Sequence, residues 1–240
     1  MNHHDVQTAL RDQADPTKAV QATRFFKTGP GQYGEGDKFL GVSVPNIRKI
    51  IKIFHDLPLG EVEKLLVSDW HEDRLAALFI LVWQYPRSTA ETQHAIYESY
   101  LAHTTFINNW DFVDASAEHI VGPYLSDRPE KMEVLKKLAH ADLIWERRIA
   151  MLATFHYIRQ GRADEALDII DILLHDAHDL IRKATGWMLR EIGKRVDRDV
   201  LLAYLDAHAH DMPRTTLRYA IEHLPPEQKR HYMQQKNEIN

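Results

Sequence analysis

The stretch Asn108-Asn109-Trp110-Asp111-Phe112-Val113-Asp114 concentrates residue types able to do chemistry. Read as a helix capped by Asn109, it places Val113, Ala117, Ile120 and Val121 on a core stripe. Trp110 and Asp114, four residues apart, then stand one above the other at the edge of that stripe. A carboxylate beside an indole is a candidate catalytic group, with an ordinary salt bridge as the competing reading. Asp111 falls in the first turn, where its favourable interaction with the helix dipole is reason enough for an acid.

Two more helical stretches carry charge in unusual places. Over 179–195, Ile181, Ala184, Thr185, Met188 and Ile192 share one face, and Lys183, Trp187, Arg190 and Lys194 share the opposite one. An aromatic among three cations fits a stacking residue in a phosphate-binding stripe. The alternative is a tryptophan buried against a neighbouring helix, with its cations merely solvated. In Trp145-Glu146-Arg147-Arg148-Ile149-Ala150 the helix is apolar over most of its circumference. At least one of Arg147 and Arg148 must therefore meet low-dielectric surroundings and needs a partner, for which Asp114 is the candidate. Arg48, Lys49 and Lys52 cluster opposite the apolar stripe Ile47, Ile50, Ile51 and Phe54.

Other signals are weaker. Gly29-Pro30-Gly31-Gln32-Tyr33-Gly34 satisfies G-x-G-x-x-G, but a helical stretch ending in Phe25-Phe26-Lys27 precedes it, where a dinucleotide fingerprint requires a strand. A surface loop that offers backbone N–H groups to a ligand is the better reading. His175 with His178, and His208 with His210, lack a third ligand at a set spacing, so no metal site is expected. No P-loop or nucleophile elbow occurs.

The elements that must position these residues are helices. Apolar residues recur at three- and four-residue spacing over 43–54, 60–68, 70–85, 89–102, 109–125, 129–140, 143–160, 163–175, 179–195, 199–209 and 214–223. No run alternates as a strand would. A cation precedes a small or apolar run at Arg74, Arg148, Lys183 and Arg218, with intervals of 74, 35 and 35 residues. The stretch from Trp110 to Val121 sits in the middle of the double gap. This period predicts an all-α, HEAT-like α-solenoid of about five to six two-helix repeats, 1–240 forming a single domain.

Composition bounds the rest. With 44% hydrophobic and 27% charged residues the chain is globular, not disordered. The absence of cysteine excludes disulfides, thiolate metal sites and cysteine nucleophiles. No apolar run approaches the roughly 20 residues of a membrane span, and no secretory signal is visible, so the expected place is the cytoplasm. A net charge of −5 argues mildly against nucleic acid as partner, which leaves the distribution of cations to decide.

The chain resembles the HEAT-like-repeat DNA glycosylases, the AlkD-type DNA alkylation repair family. The likeness runs over nearly the whole length. Its marks are Phe25-Phe26-Lys-Thr-Gly, Phe39-Leu-Gly-Val-Ser-Val-Pro45, Asn109-Trp110-Asp-Phe-Val-Asp114, Trp145-Glu-Arg-Arg148-Ile-Ala and Lys183-Ala-Thr-Gly-Trp187-Met-Leu-Arg190-Glu191. The resemblance implies a monofunctional enzyme that hydrolyses the N-glycosidic bond of N3- and N7-alkylated purines in duplex DNA, held on a concave DNA-binding face of the solenoid. It also implies Asp114 as catalytic aspartate, Trp110 and Trp187 as the tryptophans that cradle the lesion, and Arg148, by its W-x-x-R spacing, as the phosphate-holding arginine. A further family aromatic falls near Phe25. With Lys183, Arg190, Lys194, Arg48 and Lys52 on the DNA, the expected partner is duplex DNA containing alkylated purines, bound by a monomer with no cofactor and no membrane attachment. A non-catalytic HEAT-type DNA-structure binder is the alternative, and a protein–protein scaffold the third reading.

Overall fold

Local signals set most helix boundaries. Asn2 and Asp5 form a reciprocal capping box at the start of α1 (His3–Arg11). The Asp15 carboxylate accepts from the Thr17 and Lys18 amides at the start of α2 (Pro16–Phe25), with Pro16 in the first turn. Further on come α3 (Val44–Phe54), α4 (Leu59–Leu66), α5 (His71–Gln84), a 3-10 turn (Tyr85–Arg87), α6 (Ala90–Ala102) and α7 (Trp110–Leu125). They are followed by α8 (Lys131–Ala139), α9 (Ile144–Ala153), α10 (Phe155–Arg159), α11 (Asp164–Leu173), α12 (Asp179–Arg195), α13 (Arg198–His208), α14 (Arg214–Ala220) and α15 (Pro226–Gln234).

The computed structural model describes residues 1–235. Among these the fold is all-α, as the periodicity predicts, with one isolated β-bridge between Lys38 and Trp70. The repeat is visible in the helix starts: His71, Trp110, Ile144, Asp179 and Arg214 stand 39, 34, 35 and 35 residues apart. No helix among the described residues is long and apolar enough to cross a membrane.

Three elements depart from the expectation. The stretch 143–160 is two helices, because the buried Thr154 hydroxyl donates to the Met151 carbonyl at 2.6 Å and competes with the helical ladder. α1 and α15 lie outside the periodic stretches, since α1 buries only Val6 and Leu10 and α15 only Tyr232.

The chain divides into two compact units, Met1–Ile120 and Val121–Asn240. In the first, α1, α3 and α4 all pack on α5, which is buried from His71 to Leu81. In the second, α12 is the hub, touching α9, α10, α11, α13 and α14. Gly186 makes the closest of these approaches possible: a Cβ there would stand 2.3 Å from the Thr216 carbonyl oxygen of α14.

Candidate functional site

In the first unit the site begins at the N-terminus of α7. Asn109 is fully buried and its side-chain oxygen accepts from the Trp110 amide at 2.8 Å, which fixes the first residue of the helix. Val113, Ala117 and Ile120 are fully buried on the core side, and Trp110 and Asp114 are half-buried at its edge, as the spacing predicts. Two aromatics meet the Trp110 indole. Phe26 stacks on it with centroids 5.5 Å apart at 26°, and Phe25 approaches at 5.8 Å with its ring tilted 69°. Phe25 itself is 64% exposed, so one face of this aromatic group is open to solvent.

Asp114 faces the C-terminal half of α6. The Ser116 hydroxyl donates to the Phe112 carbonyl at 2.5 Å, so the proton between Tyr100 and Ser116 (2.8 Å) comes from the phenol. Burial pushes the Tyr100 phenol far up, and the negative charge of Asp114 raises it further. Tyr100 therefore stays neutral and Asp114 gains no competing anion from it.

Beneath Trp110 lies a buried network that sequence reasoning missed. His71, the first residue of α5, places Nδ1 2.7 Å from Asp37 and Nε2 2.9 Å from Asp111. Both ring nitrogens face carboxylates, so both carry protons and the ring is an imidazolium. Burial alone would push it down. The Asp111 charge and hydrogen bond, followed by those of Asp37, outweigh burial and hold it at about 9. Arg74 completes the network, donating to the other Asp37 oxygen at 2.5 Å. Asp111 is thus more than a dipole-favouring acid, and its second oxygen is buried without a hydrogen-bond partner. Next to His71, the buried Glu72 carboxylate accepts from the amides of Leu40 (2.9 Å), Gly41 (2.8 Å) and Val42 (3.2 Å). The signal available in the sequence was His71-Glu72-Asp73-Arg74, four consecutive ionisable residues opening an apolar helix, all of them buried.

The glycine-rich stretch 29–34 is the surface loop expected, exposed over 30–32, but its glycine amides are used internally: Gly29 donates to Gln32, Gly31 to Glu35 and Gly34 to the Lys27 carbonyl. The segment continues over 37–42 as a strap bonded to α5. Helix α2 stands where a nucleotide fold would have a strand. Gly41, at φ +81°, lets the strap lie against α2, since a Cβ would stand 2.1 Å from the Asp15 carbonyl oxygen. On α3 of the same unit, Arg48 and Lys52 are exposed as expected, with the Arg48 guanidinium 4.1 Å from the Phe79 ring.

In the second unit the two arginines of α9 differ. Arg147 is held by Asp176 at 2.7 Å and by the carbonyls of Ala141 and Asp142. Arg148 is 5% exposed and donates to the Leu180 carbonyl at 2.5 Å. On α12 the buried stripe is as predicted, with Ile181, Ala184, Thr185, Met188 and Ile192 fully buried. The opposite face is partly open, with Lys194 exposed and Lys183, Trp187 and Arg190 half-buried. Trp187 is half-buried, tilted against Phe155 at 5.8 Å, with its indole N–H 3.3 Å from Glu191. Lys183 pairs with Asp179 at 2.7 Å, and Arg190 pairs with Glu191 and Glu222. Close contact with α14 brings Glu222 to this face. Burial would raise Glu191, yet Arg195 and Arg190 hold it below its ordinary value, so it remains an anion that anchors the indole. Lys194 is exposed, and with Arg190, Arg198 and His223 it lines a cleft of about 370 Å³.

No group of three or more His, Asp or Glu residues among those described is placed to hold a metal ion. His178 instead caps α12, its Nδ1 accepting from the Leu180 amide at 3.2 Å.

Comparison with known proteins places this geometry in context. The family described as DNA alkylation repair enzyme matches residues 6–224. A solved structure, described as a predicted DNA alkylation repair enzyme from Enterococcus faecalis, is similar with a TM-score of 0.71 at 18% identity, covering 89% of this chain and 98% of the other. At that identity the likeness speaks for the fold. No curated protein matches the chain.

Proposed function

The chain belongs to the DNA alkylation repair enzymes, and from that premise we propose that it is a DNA glycosylase hydrolysing the N-glycosidic bond of N3- and N7-alkylated purines in duplex DNA. The observation that carries this reading is the edge of α7: Asp114 and the indole of Trp110, one helical turn apart and half-exposed, beside the open ring of Phe25.

The chemistry suits such a site. An alkylated purine is cationic while bonded and leaves neutral, so a strong general acid is dispensable. Positive charge develops on the sugar as the bond to C1′ breaks, and the Asp114 carboxylate stabilises that charge and orients the attacking water. Indole faces attract a cationic nucleoside by about 1–2 kcal/mol when desolvated. Trp110 takes this role in the first unit and Trp187 in the second. Among the arginines of α9, Arg148 is the one assigned to a DNA phosphate, by its W-x-x-R spacing; it is itself buried, with one donor on the Leu180 carbonyl. Arg190 and Lys194, on the cleft they share with Arg198 and His223, and Lys183, Arg48 and Lys52 supply the remaining cations for the backbone. The enzyme acts as a monomer in the cytoplasm, without a cofactor.

The test is incubation of the purified protein with methylated duplex DNA and chromatography of the released bases. Asp114→Asn is expected to abolish release of 7-methylguanine and 3-methyladenine with duplex affinity nearly intact, because the carboxylate acts on charge present only near the transition state. Near-wild-type release by this variant would make Asp114 a structural residue and leave a DNA-binding protein without the proposed chemistry.

A further inference from the structure

We propose that His71 is a positioning residue: through Asp111 and through the stack of Phe26 on Trp110 it sets the orientation of the Trp110 indole and ties that orientation to the glycine-rich strap. Only the activity readout below rests on the glycosylase reading.

Trp110 is held from two directions, and both lead to His71. Along the main chain, Trp110 precedes Asp111, whose carboxylate receives the His71 Nε2 proton at 2.9 Å. This pins the first turn of α7. Through the rings, Phe26 stacks on Trp110 at 5.5 Å, and its centroid lies 4.8 Å from that of His71. The imidazolium also lies 4.5 Å from Phe39 and 4.3 Å from Phe112. A cation enclosed by aromatic rings attracts them electrostatically, more strongly when desolvated. The strap supplies Phe39 and Asp37, and the end of α2 before it supplies Phe26, so the conformation of the strap and that of Trp110 depend on the same ring.

The groups facing His71 come from every neighbouring element. Asp37 belongs to the strap, Asp111 to α7, and Arg74 and Glu72 to α5. Lys18 of α2 lines the same small cavity of about 140 Å³, paired with Asp15 at 3.0 Å. Glu72 is committed to the amides of residues 40–42, and Arg74 to Asp37 and the Ser68 carbonyl. No other described cation therefore bridges Asp37 to Asp111. A neutral imidazole has one N–H and would turn a lone pair towards one of the two carboxylates.

The experiment labels the full chain with 5-fluorotryptophan. Its five tryptophans give five ¹⁹F signals, and Trp110→Phe identifies that of Trp110. In the wild type the Trp110 signal is expected to titrate with a midpoint near 9; in His71→Gln this titration disappears. Release of 7-methylguanine by His71→Gln, at pH 7.5 and per folded molecule, should fall about tenfold with unchanged duplex affinity. Combined with Trp110→Ala it should add no further loss, since both changes act through one indole. Asp111→Asn keeps the shape and removes one charge, so it should move the midpoint to lower pH. It carries the test should His71→Gln fail to fold. A Trp110 signal flat from pH 7 to 10, an unmoved midpoint in Asp111→Asn, or multiplicative losses in the double variant would each overturn the proposal. A titrating Trp110 in a protein that releases no base would leave the positioning role standing and overturn the glycosylase reading instead.

Discussion

Protonation of His71 should make the stability of the protein fall as pH rises through the neutral and mildly alkaline range. The imidazole is buried between two carboxylates and is raised from 6.5 to about 9. A folded value above the unfolded one means that the native state binds the proton more tightly. The contribution is therefore complete below 6.5 and is lost as pH climbs to about 9. At about 1.4 kcal/mol per pH unit this gap is worth about 3 kcal/mol, a large share of the 5–15 kcal/mol typical of whole domains. Urea unfolding at half-unit steps from pH 6 to 9.5 measures it directly, as a decline approaching 1.4 kcal/mol per unit between 7 and 9. His178 is held down by burial, so its titration acts below 6.5 and outside this window. Asp111→Asn should flatten the decline by removing one of the charges that raise His71. A wild-type stability constant to within about 0.5 kcal/mol over that range would refute the imidazolium and, with it, the electrostatic account of the strap.

Three further outcomes are expected. Gly186→Ala gains about 1 kcal/mol of helix propensity but forces a methyl group onto the Thr216 carbonyl, so thermal unfolding should show a net loss of about 2 kcal/mol or more. Glu72→Gln replaces charged acceptors with one neutral oxygen, and amide exchange of Leu40, Gly41 and Val42 should accelerate at least tenfold while the α12 amides are unchanged. On DNA, Lys194→Ala should lower the slope of log affinity against log salt by about 1 for alkylated and undamaged duplex alike, whereas Trp187→Ala should keep the slope and lose base release.

How far the sequence could be read depended on whether the relevant force acts along one helix or between segments distant in the chain. Helical period, caps and the 35-residue recurrence are local, and the starts of α9, α12 and α14 fall where that recurrence requires. The buried stripes of α7 and α12 follow from the same geometry, residue for residue. What could not be read is pairing at a distance. Asp37 and Asp111 lie 34 and 40 residues from His71, and nothing in the spacing of either brings them to one imidazole. Glu222 reaches Arg190 across 32 residues and turns an expected solvent-facing cation into a half-buried one paired with an exposed carboxylate. The common cause is burial of charge. A helix that opens with His71-Glu72-Asp73-Arg74 and continues into Leu75-Ala76-Ala77-Leu78 is too apolar to leave that end in water, and the desolvated groups must find partners wherever the fold supplies them. Asp73 finds Gln7, Arg11 and Ser68; Glu72 finds three amides of the strap; His71 and Arg74 find Asp37. Of these four ionisable residues at a buried helix end, His71 is the one that reaches the surroundings of Trp110, through Asp111 and Phe26, while Asp73 ties the same helix end to α1.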